Sequence, residues 1–174
     1  MEKLIAKPQL GFGEAVKLAM SRLTQMSGRS RRSEFWWAAL VLFVGIYVVN
    51  SILSAVLPLM AAQIVGSLLT LIALPLTARR LQDTGKSRWW VIVSWAASLI
   101  YSVRMVQSGV IDELLSVNAD PEALLGVFQD PLLIGASIVQ FVAGLATFIF
   151  CLLDSSPQAN KYGESPKYVA LSEE

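Results

Sequence analysis

The stretch RRLQDTGKSRWW, residues 79–90, contains a Gly-Lys-Ser triplet at Gly85 of the kind that closes a phosphate-binding loop. In such a loop, G-x-x-x-x-G-K-[ST], backbone amides cradle the phosphates and the lysine reaches the outer ones. The residue five before Gly85 is Arg80 rather than glycine, and the triplet follows an apolar run rather than a strand. Nucleotide binding is therefore not expected. The basic residues themselves offer a different chemistry. Arg29, Arg31 and Arg32 precede the first apolar run, Arg79, Arg80, Lys86 and Arg88 precede the third, and Glu34 and Asp83 stand among them. A guanidinium presents a planar fork of donors that matches phosphate or carboxylate oxygens in pairs. Two readings follow. The cations form a site for an anionic lipid headgroup or a protein partner, or Glu34 and Asp83 pair with the arginines to fasten loops together while surplus charge orients the chain.

Other chemistries are narrowed by composition. Histidine is absent and Cys151 is the only cysteine, so one chain cannot assemble a Cys/His zinc site, an intrachain disulfide or a histidine-based triad. Glu34, Asp83 and Asp154 are able to do acid–base chemistry, yet no nucleophile–base pair is recognisable beside them. No catalytic residue, metal or cofactor is expected, and no nucleotide or nucleic acid as partner.

The elements that position these residues follow from hydropathy. Of 174 residues, 55% are hydrophobic and 16% charged, where soluble domains carry about a quarter charged. Apolar runs cover residues 35–57, 61–78, 89–106 and 131–153. A helix needs about 20 apolar residues, roughly 17 to 25, to cross the hydrocarbon layer. The third run is the shortest and spans if Arg104 snorkels its guanidinium to the far interface. A soluble four-helix bundle would show a polar stripe on each helix, which these runs lack. The expected fold is all-α: a polytopic membrane protein with four transmembrane helices, preceded by residues 1–34 and followed by a tail, 154–174.

Charge orients the spans. Thirteen of the fourteen basic residues lie before the first span, between the second and third, or after the fourth, and only Arg104 lies elsewhere. Positive charge stays on the cytoplasmic side, so both termini are expected there. Trp36 and Trp37 open the first span and Trp89 and Trp90 the third, where indole rings anchor helix ends at the headgroup level. The similarity of GRSRRSEFWW, residues 28–37, to GKSRWW, residues 85–90, raises two related hairpins; interfacial chemistry selects the same residues without duplication.

Residues 10–26 place Val16, Met20 and Leu23 on one face of an expected amphipathic helix, with Lys17 and Arg22 elsewhere. That face either lies on the inner leaflet or packs on the ends of the spans. The first 27 residues lack an apolar run followed by a small-residue cleavage site, so a cleavable signal peptide is not expected. The outer loop, 105–130, is expected to hold short helices, one starting at Asp120-Pro121-Glu122 with an N-cap, a proline and a first-turn acid. The tail is rich in Ser, Pro, Asn, Lys and Glu and is expected to be loosely ordered.

Three motifs occur in order along the chain: GRSRRSEFWW before the first span, ARRLQDTGKSRWW between the second and third, and, after the last, Asp154-Ser155 followed by SPQANKYGESPK, residues 156–167. On these motifs, from about Phe12 to Lys167, the chain resembles domain-of-unknown-function family 805. The resemblance implies a small polytopic bacterial membrane protein without an established activity. Gln82 departs from the family pattern, which often has His there, so a proton-relay role is not carried over.

The function best supported by sequence is structural or regulatory, with membrane lipids, a membrane-protein partner or a second copy bound at the cytoplasmic Arg/Trp face. A small transporter or channel is the alternative: Asn50, Ser51, Ser54 and Gln63 are its polar candidates, but no ionisable residue lies in mid-span. A membrane enzyme comes last.

Overall fold

The structure, a computed structural model, describes residues 4–116, 122 and 125–170. A short strand β1 (Leu4–Ala6) and a helix α1 (Phe12–Met20) lead into the long helix α2 (Arg32–Val56). Leu57 is extended and Pro58 caps the next helix, as expected where proline forbids a helical residue before it. Helix α3 (Leu59–Leu69) passes through a 3-10 turn, Thr70–Ala73, into α4 (Leu74–Asp83). The tightening sits where Pro75 has no N–H to give the carbonyl of Leu71. Helix α5 (Trp89–Gln107) follows, then α6 (Val110–Leu115), a 3-10 turn (Gly126–Gln129), α7 (Pro131–Leu152) and a final strand β2 (Tyr168–Ala170).

Among the described residues, four helices are long and apolar enough to cross a membrane: Arg32–Val56, the continuous Leu59–Asp83, Trp89–Gln107 and Pro131–Leu152. Their outer surface is apolar rather than striped. Phe43 is 70% exposed and Phe141 69%, a distribution that hydrocarbon solvates and water does not. The shortest helix, α5, reaches 19 residues. Its Arg104 reaches the side chain of Asp130, which also caps α7 by accepting from the N–H groups of Leu132 (2.9 Å) and Leu133 (3.2 Å). Arg104 and these two amides hold the Asp130 carboxyl below the usual range. Helices α5 and α7 pack closely where a Cβ on Gly144 would lie 3.3 Å from Ser94 Oγ, and Ala97, Ala136 and Ala143 on these helices are buried, small residues that let backbones approach. At α2–α3 a Cβ on Gly66 would collide with the Asn50 carboxamide, so one of the transport candidates instead packs against the neighbouring helix.

Three expectations are revised. The second long helix continues past Ala78 to Asp83, and the first begins at Arg32, so Glu34, Arg79, Arg80 and Asp83 are helical residues rather than loop residues. A hydropathy boundary falls at the first charge, whereas a helix runs on where protein groups satisfy that charge. Helix α1 ends at Met20, and its most buried residues are Ala15 and Ala19, with Val16, Met20 and Leu23 half-buried. Alanines face α2 because only short side chains permit that spacing, and Phe12 meets Trp37 edge-on at 5.5 Å. The tail is folded, not loose. Strand β2 pairs antiparallel with β1, adding a two-stranded sheet to the helices. The helix start expected at Asp120-Pro121 lies outside the described residues.

Candidate functional site

The Gly-Lys-Ser triplet is a helix stop. Gly85 takes φ 75°, its N–H reaches the carbonyl of Gln82 (3.1 Å), and the N–H of Lys86 reaches that of Leu81 (2.8 Å). This is the Schellman arrangement, which needs a left-handed residue and so glycine. Gly28 also has positive φ, 112°, three residues before the N-cap of α2, as Gly85 stands three before that of α5. The two turns share a frame but not an environment: Arg29 is buried, whereas its counterpart Lys86 is exposed over the Phe150 ring at 5.2 Å.

The end of the bundle that carries β1, β2 and α1 encloses a polar cluster. Asp83, on the last turn of α4, is its centre. Its Oδ1 accepts from Arg29 Nε (2.9 Å), and its Oδ2 from Arg80 Nη1 (2.7 Å) and Ser155 Oγ (2.5 Å). Three chain segments thus meet on one carboxylate. Arg29 is satisfied at every nitrogen: beyond Asp83 Oδ1 it donates to the carbonyls of Gln158 (2.9 Å), Gly163 (3.2 Å), Ser156 (2.5 Å) and Asp83 (3.3 Å). Arg80 donates to the carbonyls of Cys151 (3.2 Å) and Leu153, closing the C-terminal end of α7, where orphan carbonyls favour a cation.

Arg79 points to the other side of α4. Its Nη1 binds the carbonyls of Arg22 (2.5 Å) and Gln25 (2.7 Å), its Nε binds Ser30 Oγ (3.1 Å), and its Nη2 lies 3.8 Å from Glu34 Oε1. Ser30 in turn donates to Glu34 (2.9 Å). Gln82 donates to the carbonyl of Met26 (3.0 Å), and Asn160 to that of Gln82 (3.0 Å). Gln82 therefore joins the linker after α1 to α4 in this chain. All of Arg29, Arg79, Arg80, Glu34 and Asp83 are at least nine-tenths buried.

The seven candidate cations are thus divided. Arg29, Arg79 and Arg80 are turned inward onto Asp83, Glu34 and carbonyls; Arg32, Lys86 and Arg88 are exposed; Arg31 is buried apart from the cluster. Trp36 and Trp37 remain exposed at the start of α2 and Trp89 and Trp90 at the start of α5. Sequence reasoning missed Ser30, Ser155 and the accepting carbonyls; a carbonyl belongs to every residue and leaves no trace in residue type. Asp154, an acid–base candidate, is instead bound to Lys167 Nζ at 2.5 Å, which lowers the carboxyl and raises the ammonium from their ordinary values.

Beside Arg31 lies a cavity of about 360 Å³ at the start of α2, walled by Arg31, Arg32, Ser33, Trp36, Trp37 and the Asp154–Lys167 pair. Arg31 caps α2 without a side-chain cap bond. The cavity thus lies at the N-terminal end of a long helix, a position that favours negative charge.

A mostly helical chain, with four helices suited to a membrane and one end closed over buried arginines and carboxylates, is the class these features define. The chain belongs to the family described as protein of unknown function DUF805, which it matches over residues 23–164. The match takes in the whole buried cluster and leaves β1, α1 and β2 outside. No curated protein and no solved structure matches the chain.

Proposed function

We propose that this chain is a multi-pass protein of a bacterial inner membrane, with both termini cytoplasmic, whose terminal face binds an anionic lipid or an anionic protein partner in a structural or regulatory role. The observation that carries the reading is the division of the cations. Topology alone needs positive charge on one side, but the face keeps Arg32, Lys86 and Arg88 exposed beside Trp36, Trp37, Trp89 and Trp90. Exposed basic residues near an anionic surface contribute about 1 kcal/mol each. Asp83 accepts three side-chain hydrogen bonds, an arrangement that holds a carboxylate in place rather than offering it as a base.

Two measurements test the reading. Cysteines placed at Ser116 and Ser172 are expected to label from opposite sides of the membrane; labelling from the same side would remove the four-span orientation. Native mass spectrometry of gently extracted protein is expected to show anionic phospholipid retained in preference to zwitterionic lipid. Retention in proportion to the bulk membrane composition would remove the binding role and leave the exposed cations to topology alone.

A further inference from the structure

The buried charges of this end do not balance. Among the described residues, the buried charged side chains are Arg29, Arg31, Arg79 and Arg80 against Glu34 and Asp83. Arg29 and Arg80 share Asp83, and Arg79 has Glu34. Arg31 is 6% exposed, and no described carboxylate comes within 4.0 Å of it. Its only hydrogen bond to a described residue runs from Nη2 to the carbonyl of Lys7 (3.2 Å). Arg31 thus brings a guanidinium fork with no carboxylate partner among the described residues, and an anion is the complement such a fork takes.

Arg31 does not face packed protein. It lines the cavity of about 360 Å³ at the start of α2, together with Arg32, Ser33 and Lys167. Asp154 stands in the same wall, but its Oδ2 is engaged by Lys167 Nζ (2.5 Å) and Tyr168 OH (3.3 Å), so it is screened by its own partners. The amides of the first turn of α2, a 25-residue helix, add their partial positive charge. Trp36 and Trp37, which line the cavity and are 37% and 41% exposed, lead from it to the apolar flank of α2.

We propose that this cavity is a binding site for a phosphate group, held by the Arg31 fork, Arg32, Lys167 and the amides opening α2. The exposed tryptophans and the continuous apolar flank favour the phosphate of a membrane lipid, whose acyl chains then run down α2. The proposal rests on the anionic-face reading and narrows it to one pocket and one chemical group. It differs from a diffuse basic surface in geometry: a fork that binds two oxygens is lost when replaced by a point charge, whereas a diffuse field is not.

The test uses the full-length protein in a neutral detergent, titrated with dioleoyl phosphatidic acid, dioleoyl phosphatidylcholine or inorganic phosphate and read by native mass spectrometry. The parent is expected to bind one equivalent of phosphatidic acid saturably and no equivalent of phosphatidylcholine. Arg31→Lys preserves charge and is expected to weaken that equivalent by about ten-fold or more, while Lys161→Arg, which also preserves charge and is exposed outside the cavity, leaves it unchanged. Both variants should melt with the parent, since Arg31 makes no ion pair with a described residue.

Binding of inorganic phosphate with the same Arg31 dependence supports the phosphate site and assigns it to a free anion; binding of the lipid alone assigns it to the membrane. Equal phosphatidic acid binding by parent and Arg31→Lys overturns the site even if anionic lipid is still preferred, and leaves the broader reading standing. Absence of any anionic preference in the parent overturns both. Glu173→Gln with Glu174→Gln is expected to leave the affinity unchanged. A gain of about ten-fold would mean that the chain's own terminal carboxylates fill the pocket, and would also overturn the site.

Discussion

Asp83→Asn is expected to destabilise the protein by about 3–5 kcal/mol, the range for removing one partner of a buried ion pair. The substitution preserves size, so packing is not the cause. It exchanges an acceptor oxygen for an NH₂ donor that faces donors. Arg29 Nε lies on one carboxylate oxygen, and Arg80 Nη1 and Ser155 Oγ on the other, so either orientation of the carboxamide sets N–H against N–H or O–H. Two guanidinium groups lose their charged partner at the same time, at side-chain exposures of 2% and 0%. Asp154→Asn is the comparison. Its pair with Lys167 is 48% exposed on the aspartate side and is worth about 0–1 kcal/mol. Unfolding of the detergent-extracted variants, followed by temperature or denaturant, distinguishes the two. If Asp83→Asn falls within about 1 kcal/mol of the parent, the cluster does not hold this end of the bundle together.

Arg29→Lys is expected to release the tail. Arg29 spans Asp83 and the carbonyls of Ser156, Gln158 and Gly163 with one planar group. A lysine has three donors on one nitrogen and cannot reach acceptors spread around a fork. Loss of two charge-assisted hydrogen bonds costs about 3 kcal/mol, which raises the open population of the segment on the order of a hundred-fold. Limited trypsin digestion reads this population, because cleavage follows the open state when closing is fast. Cleavage after Lys161 and Lys167 should accelerate on that scale. Cleavage after Lys86 should not, since the turn there is closed by its own backbone bonds to Gln82 and Leu81. An unchanged rate at Lys161 would show that the β1–β2 pairing alone secures the tail.

Much of the architecture is one-dimensional and was legible on that account. Apolar run length decides whether a helix can cross hydrocarbon, and the four runs coincide with the four long helices, with ends differing by a few residues except where the second extends to Asp83. The missing first glycine excluded a phosphate loop at Gly85, and the family membership rests on motifs that are strings in the same sense. Sequence position placed Glu34 and Asp83 among the arginines on this side. It did not show that Asp83 takes Arg29, 54 residues away, as well as Arg80, or that Glu34 lies by Arg79.

Which arginines turn inward was decided only by tertiary structure. Arg29, Arg31 and Arg32 are near neighbours of the same chemical kind, yet the first is spent on carbonyls of a distant tail, the second lines a cavity and the third is exposed. The same holds for the tail, whose polar composition is that of a loose extension. A composition argument weighs the apolar surface a segment can bury, and this one buries little. It is held instead by Arg29, Asn160 and strand pairing to β1, through backbone groups that every sequence contains and whose partners exist only once the chain is folded.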